Sequence, residues 1–154
     1  IGQEIGVTTL QLLAASSVIA NDGEYISPRL ISSNANENDA AFSVMEPDNA
    51  DSLLAMMETV VGEDGTALKA QVEGINIAGK TGSGQVAKTG GGGYYDDKYN
   101  AVFIGFVPAD DPDIVIVVSV NEPGTFANTG GEVAAPVFAD IVRRIIISTD
   151  YINQ

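Results

Sequence analysis

At 154 residues and 16.0 kDa the chain is sized for one domain, and an apolar content of 45% is enough for a core. Twenty-one acidic against seven basic residues leave a net charge of −14 and an isoelectric point near 4.1, a surface that repels phosphate backbones and anionic lipid and argues against nucleic acid as a partner. Histidine and cysteine are both absent, which removes imidazole general bases, thiol nucleophiles, disulfides and the commonest metal ligand, so neither a metal site nor a cofactor is expected.

The chain opens at Ile1 with neither a signal-peptide pattern nor an apolar run long enough to span a bilayer, and it reads as a piece of something longer. Thr8 followed three residues later by Gln11 fits a capping box, and Leu10, Leu13, Ala14, Ser17 and Val18 continue it at helical spacing. Asn21-Asp22-Gly23 stops that helix, with Gly23 available for a left-handed cap. Glu24 to Ser32 reads as a short extended segment that Pro28 keeps from being a central strand. Ser33 to Asp48 is polar and aperiodic, a surface loop or weak hairpin.

A second helix is predicted from Asp48 or Asn49, with Leu53, Leu54, Met57, Val60 and Val61 as its apolar stripe, Met56 and Met57 as core filler and Gly62 as its end. Glu63 to Thr66 caps a short helical turn through Ala70. A strand through Lys80 comes next, then a hairpin loop at Lys88 to Gly93. Tyr99 to Val107, apolar on both faces, and the β-branched run Ile114 to Val120 read as strands of a covered sheet, made an antiparallel pair by the turn Asp110 to Asp113. The last helix is expected from about Val133 to Ile147, with Ala134, Val137, Phe138, Ile141 and Ile145 on one face, Pro136 in its first turn, and Arg143 and Arg144 near its negative end. The order gives an α+β fold, an antiparallel β-sheet flanked by helices, with no linker dividing the chain.

The chemistry concentrates in Ala78-Gly79-Lys80-Thr81-Gly82-Ser83-Gly84-Gln85. An ammonium with two neighbouring hydroxyls and accessible N–H groups is what binding a carboxylate requires, and glycines in a strand let a ligand's backbone come close. Strand parity puts Thr81, Ser83 and Gln85 on one face and Lys80 and Gly82 on the other, so all reach one ligand only from a twisted edge strand. Tyr94 and Tyr95 are candidates for the flank of a binding groove. A competing pattern overlaps the same residues: Gly74 to Thr81 satisfies the phosphate-loop spacing G-x-x-x-x-G-K-T, which is meaningful only if a helix begins after Thr81, where Gly82-Ser83-Gly84 stands.

The opening Gly2-Gln3-Glu4-Ile5-Gly6-Val7-Thr8, then Ala20-Asn21-Asp22-Gly23, Lys80-Thr81-Gly82-Ser83, Gly105-Phe106-Val107-Pro108-Ala109 and Ala134-Ala135-Pro136-Val137-Phe138, in that order, resemble the C-terminal half of the transpeptidase domain of class B penicillin-binding proteins. The resemblance covers nearly the whole chain. It implies a penicillin-binding-protein or serine β-lactamase-like transpeptidase fold, with residues 1–154 as its C-terminal part, and the opening and closing motifs look more like the cross-linking enzymes than the β-lactamases. It also implies acylation of a serine by a D-Ala-D-Ala stem peptide, binding of β-lactams, and a place on the extracytoplasmic face of the bacterial inner membrane, anchored by a segment outside this sequence. The family's Ser-x-x-Lys motif occurs nowhere here, and the Ser-x-Asn at Ser32-Ser33-Asn34 stands after the opening motif rather than before it. The nucleophile is therefore expected on an N-terminal portion, itself a partner, alongside stem peptides and other cell-wall synthesis proteins.

By resemblance Lys80 and Ser83 are the catalytic contributors: Lys80 supplies positive potential and Ser83 one oxyanion N–H. Thr81, Gly82, Ser83, Gln85, Tyr94 and Tyr95 contact substrate. A phosphate-loop nucleotide hydrolase and a noncatalytic penicillin-binding sensor module are the alternatives. If the terminal helices pack on another portion, the chain alone exposes part of its apolar stripe and its stability depends on that partner.

Overall fold

The computed structural model describes residues 5–31, 41–124 and 127–149. The opening glycine-rich motif at 2–4 and the Ser-x-Asn at 32–34 lie outside the described residues. The first helix, α1 (Thr9–Ala20), starts as predicted: the Thr8 hydroxyl accepts from the Gln11 N–H while the Gln11 side chain reaches back to the Thr8 N–H at 2.9 Å. It ends where Asp22 and Gly23 both take positive φ, 51° and 84°, and at Gly23 a Cβ would lie 2.2 Å from the Met45 carbonyl oxygen.

Of the extended segment after α1, only β1 (Glu24–Tyr25) is a strand, paired antiparallel with β2 (Phe42–Ser43). Tyr25 and Phe42 are cross-strand partners with ring centroids 5.0 Å apart, so the described end of the stretch read as a loop or weak hairpin pairs with the extended segment before it. Helix α2 (Pro47–Val61) begins one residue before the predicted start, because Pro47 with its fixed φ and missing donor suits a first helical position and Glu46 takes the cap. Leu54 and Val61 are buried as expected, but Met56 is 59% exposed and is not core. Met57, next to it, packs against the Leu54 cluster. The short turn after α2 is a single 3-10 turn, Leu68–Ala70, without a side-chain cap.

The three-stranded sheet runs β3 (Ala78–Ala87), β4 (Tyr94–Val107) and β5 (Ile114–Asn121) in spatial order, both pairs antiparallel. Its strands are covered on both faces, which is why β4 reads apolar at every position of its second half. On one face Phe106, Ala78 and Ala109 pack with Leu54 of α2 and Ile19 of α1. On the other, Phe103 meets Phe138 edge-on, centroids 4.9 Å apart, within a cluster that takes in Val61, Ile77, Val107, Val118, Val142 and Ile146.

That second face is built around two glycines. Gly79 and Gly105 are cross-strand partners, and a Cβ at either would strike a ring: that of Phe103 at 2.4 Å from Gly79, that of Phe138 at 2.2 Å from Gly105. The flat patch they leave lets the final helix sit close to the sheet. That helix, α3 (Ala135–Thr149), is preceded by a π-turn at Gly130–Ala134 capped by the Thr129 side chain, so it starts later than the predicted Val133. Its buried face also differs from the expected one. Ala134 and Phe138 are buried and Ile141 packs against the core as expected, but Ala135, Ala139, Val142 and Ile146 join them while Val137 is 43% exposed.

This difference gives a direct test. Truncating Phe138→Ala should destabilise the folded protein by about 3–5 kcal/mol, as for other fully buried aromatics, while Val137→Ala should cost about 0.5 kcal/mol or less, the usual effect of a surface change. Urea unfolding of both variants compares them, and equal losses would contradict the observed helix face.

Candidate functional site

Strand β3 pairs only with β4 among the described residues, so its other side is a free edge. This supplies the edge position, one part of what the sequence reading asked for if Lys80, Thr81 and Ser83 are to reach one ligand. Lys80 is exposed, Thr81 half-buried and Ser83 exposed. The register pairs Lys80 with Ile104, Thr81 with Phe103 and Ser83 with Ala101, placing the two hydroxyls on the α3 face and Lys80 on the other. The ammonium bends back to donate to the Thr81 carbonyl at 2.9 Å, which brings its charge beside Thr81. None of the ion pairs among the described residues uses Lys80, so its charge is not neutralised by a neighbouring carboxylate.

The hydroxyls are held from behind. Thr81 Oγ1 lies 2.9 Å from Thr66 Oγ1, and Ser83 Oγ accepts from the Gly130 N–H at 3.1 Å. Gly130 and Gly131 lie flat against the strand. A Cβ on Gly130 would meet the Val102 carbonyl oxygen at 2.1 Å and the Gly82 carbonyl oxygen at 2.7 Å, and one on Gly131 the Thr66 carbonyl oxygen at 1.9 Å. Sequence reasoning did not place Thr66, Gly130 or Gly131 at the site. Nothing in the spacing brings residue 66 to 81, although a capping Thr129 ahead of two glycines is a readable helix-start signal.

Gly82 and Gly84 leave the edge open: no atom lies within 4 Å of a Cβ on Gly84, and only Val102 approaches one on Gly82. Gln85 donates a side-chain hydrogen bond to the Tyr95 carbonyl at 3.2 Å, tying a bulge where the pairing slips between Gln85 and Ala87. Tyr94 is opposite Ala87, about 23 Å along the strand from Lys80 at the usual rise per residue. The structure does not bring Tyr94 and Tyr95 beside the lysine. Tyr95 instead faces Lys98, 5.1 Å from ring centroid to ammonium, and Lys98 pairs with Glu122 at 2.8 Å. The residues after Thr81 continue as strand to Ala87, so the helix that a phosphate loop requires is absent and that reading falls. No group of metal-ligating side chains occurs among the described residues.

The fold is shared with solved transpeptidase domains. The chain superposes on that of penicillin-binding protein 3 from Burkholderia pseudomallei with a TM-score of 0.82 at 36% identity, covering 94% of this chain and 43% of that one. The ampicillin complex of penicillin-binding protein 3 from Mycobacterium tuberculosis matches with a TM-score of 0.81 at 30% identity, covering 98% of this chain and 37% of that one. The chain belongs to the penicillin binding protein transpeptidase domain family, whose model matches residues 1–143. Among curated relatives, the probable peptidoglycan D,D-transpeptidase PbpC of Pseudomonas aeruginosa is 37% identical over 141 residues, 92% of this chain but 24% of the relative's length. The chain thus spans about a quarter of the curated relatives it matches.

At the far end of the hairpin, the hydrogen bond that Lys98 donates to Glu122, and then the charge of Glu122, raise the Lys98 pKa above the ordinary 10.5. A raised folded-state value means that the pair's contribution is full below the unfolded pKa and fades as pH rises through the folded one. Glu122→Gln should therefore lower the Lys98 titration midpoint toward the ordinary value in an NMR pH titration of the lysine ε-carbon, and an unmoved midpoint would contradict the pairing.

Proposed function

We propose that this chain is the C-terminal part of a serine-type peptidoglycan D,D-transpeptidase, contributing the substrate-binding strand of an active site whose nucleophile lies on another portion of the protein. One observation carries the reading: β3 presents Lys80, Thr81 and Ser83 along an unpaired, glycine-opened edge within a chain of this family.

The chemistry follows from that edge. A stem peptide ending in D-Ala-D-Ala lies along β3 as an added strand, main chain to main chain, with its terminal carboxylate against the Thr81 and Ser83 hydroxyls and the Lys80 charge. The absent serine's oxygen bonds to the penultimate carbonyl carbon, the C–N bond to the terminal D-Ala breaks, and that residue leaves as an amine after taking a proton. The amine of a second stem peptide then attacks the ester, releases the serine and forms the cross-link. While the carbonyl oxygen is negative, the Ser83 N–H and the serine's own N–H stabilise it. A β-lactam places its ring amide in the same position, and because its broken C–N bond stays tethered, the acyl-enzyme persists.

The rest of the domain has a second place to dock. The outer edge of β5 is unpaired among the described residues and is β-branched through Ile114, Val115, Ile116, Val117 and Val118. A strand from the N-terminal portion added there removes an aggregation-prone edge. Leu30, Ile31, Phe42 and Val44, all exposed, mark further surface for that portion to cover. No helix among the described residues is long and apolar enough to cross a membrane. In this reading the domain works on the extracytoplasmic face of the inner membrane, held by an anchor elsewhere in the protein and accompanied by other cell-wall synthesis proteins.

Lys80→Ala in the protein that carries this chain should slow acylation by a fluorescent penicillin by about 10²–10³-fold, the usual cost of removing one electrostatic stabiliser of the transition state. Acylation at the native rate in a folded Lys80→Ala protein would remove the role assigned to Lys80.

A further inference from the structure

We infer that Thr66, outside the Lys-Thr-Gly strand, is a positioning residue that turns the Thr81 hydroxyl into a hydrogen-bond donor toward the ligand's carboxylate. The inference rests on the carboxylate-binding reading of β3 given above and adds to it a residue from another loop.

Donors and acceptors can be counted at both hydroxyls. A hydroxyl has one proton and two lone pairs. A carboxylate is an acceptor only, so a hydroxyl that binds it must give it that proton. Ser83 is already arranged for this, because the Gly130 N–H can only donate and so occupies a lone pair of Ser83 Oγ, leaving the Ser83 proton free. The Thr81 hydroxyl is partnered instead by the Thr66 hydroxyl at 2.9 Å, a contact in which either oxygen can be the donor. When Thr81 gives its proton to a carboxylate, the Thr66–Thr81 bond survives only with Thr66 as donor. Thr66 thus serves Thr81 as the Gly130 N–H serves Ser83: it fills a lone pair, fixes the rotor and polarises the O–H outward.

Thr66 is held for this role by several ties. Ala67 N–H donates to the Val60 carbonyl at 2.9 Å, which fixes the loop to the end of α2. Lys69 pairs with Glu132 of the π-turn, and Arg143 of α3 donates to the Gln71 carbonyl at 3.2 Å. Gly131 lies against the Thr66 carbonyl with no space for a side chain. The 66–71 loop, the π-turn and the middle of β3 therefore form one packed unit behind the two hydroxyls. Thr66 itself is exposed, so the isosteric change to valine removes its hydroxyl without emptying a core site.

The test uses the protein that carries this chain, with ampicillin and its methyl ester as probes and acylation followed as a function of concentration. Thr66→Val should raise the ampicillin concentration giving half the limiting rate about tenfold, the lower end of the worth of a hydrogen bond to a charged group, while the limiting rate stays within about twofold. The same variant should react with the methyl ester as the native protein does, since no carboxylate is there to be bound, and Thr66→Ser should behave as native with both. An unchanged ampicillin response, or equal losses with ampicillin and ester, would overturn the inference, the second by showing that Thr66 merely supports the fold. Should Thr66→Val fail to fold, Thr66→Ala decides by the same comparison. If Lys80→Ala leaves ampicillin acylation intact, the carboxylate reading itself fails and this inference with it, whereas a slow Lys80→Ala beside a native Thr66→Val rejects only the role of Thr66.

Discussion

The structure depends on the contact between two phenyl rings and two glycines. Gly79 and Gly105 sit opposite one another on neighbouring strands, the Phe103 ring covers the first and the Phe138 ring the second, and the rings meet edge to face. Because no Cβ intervenes, α3 comes close enough for the segment before it to lie on the backbone of β3. Gly79 is the residue before Lys80, so the same contact that closes the core fixes the height of the lysine strand. Burial of rings of this size contributes on the order of 3 kcal/mol each at about 25 cal/mol per Å², and here that energy is directed at the strand that carries Lys80.

The two sides of β3 are accordingly very different. Behind it, Thr66, Gly130 and Gly131 pack against Thr81, Gly82 and Ser83, and the hydroxyls are held by partners. In front, the edge is unpaired among the described residues and Gly82 and Gly84 are open. In the proposed reading, a packed back and an open front suit binding an extended peptide by its main chain and then releasing it. Lys80, in a chain with 21 acidic residues, has no carboxylate within pairing distance among the described ion pairs. An anionic ligand therefore meets a charge that is not already paired.

Much of this was legible in the sequence because it is local. The Thr8–Gln11 box, the stop at Gly23, the β4–β5 turn and the strand through Lys80 each arise from residues within a few positions of one another. The edge position of β3, on which the proposed chemistry depends, was something the sequence could ask for, and β3 pairs only with β4 among the described residues. The features that were missed are nonlocal or belong to the final helix and its start. A π-turn stands at Gly130–Ala134, where an ordinary helix start was expected, and Val142 and Ile146, rather than Val137, face the core. Thr66 meets Thr81 only because the intervening 3-10 turn folds back. Tyr94 and Tyr95 were attractive by adjacency to a glycine loop, but β3 runs on to Ala87 and carries them to the far end of the hairpin. The resemblance to the transpeptidase family, carried by five motifs in order, supplied what periodicity could not, and the family match over residues 1–143 bears it out.

The central claim is that this chain binds the ligand while a serine outside it takes the acyl group. Peptide mapping by mass spectrometry after the whole protein reacts with ampicillin addresses it most directly. The expected result is one adduct of intact drug mass on a serine beyond residues 1–154, with every peptide of this chain unmodified. An adduct on Ser83, or on any other residue of this chain, would contradict it.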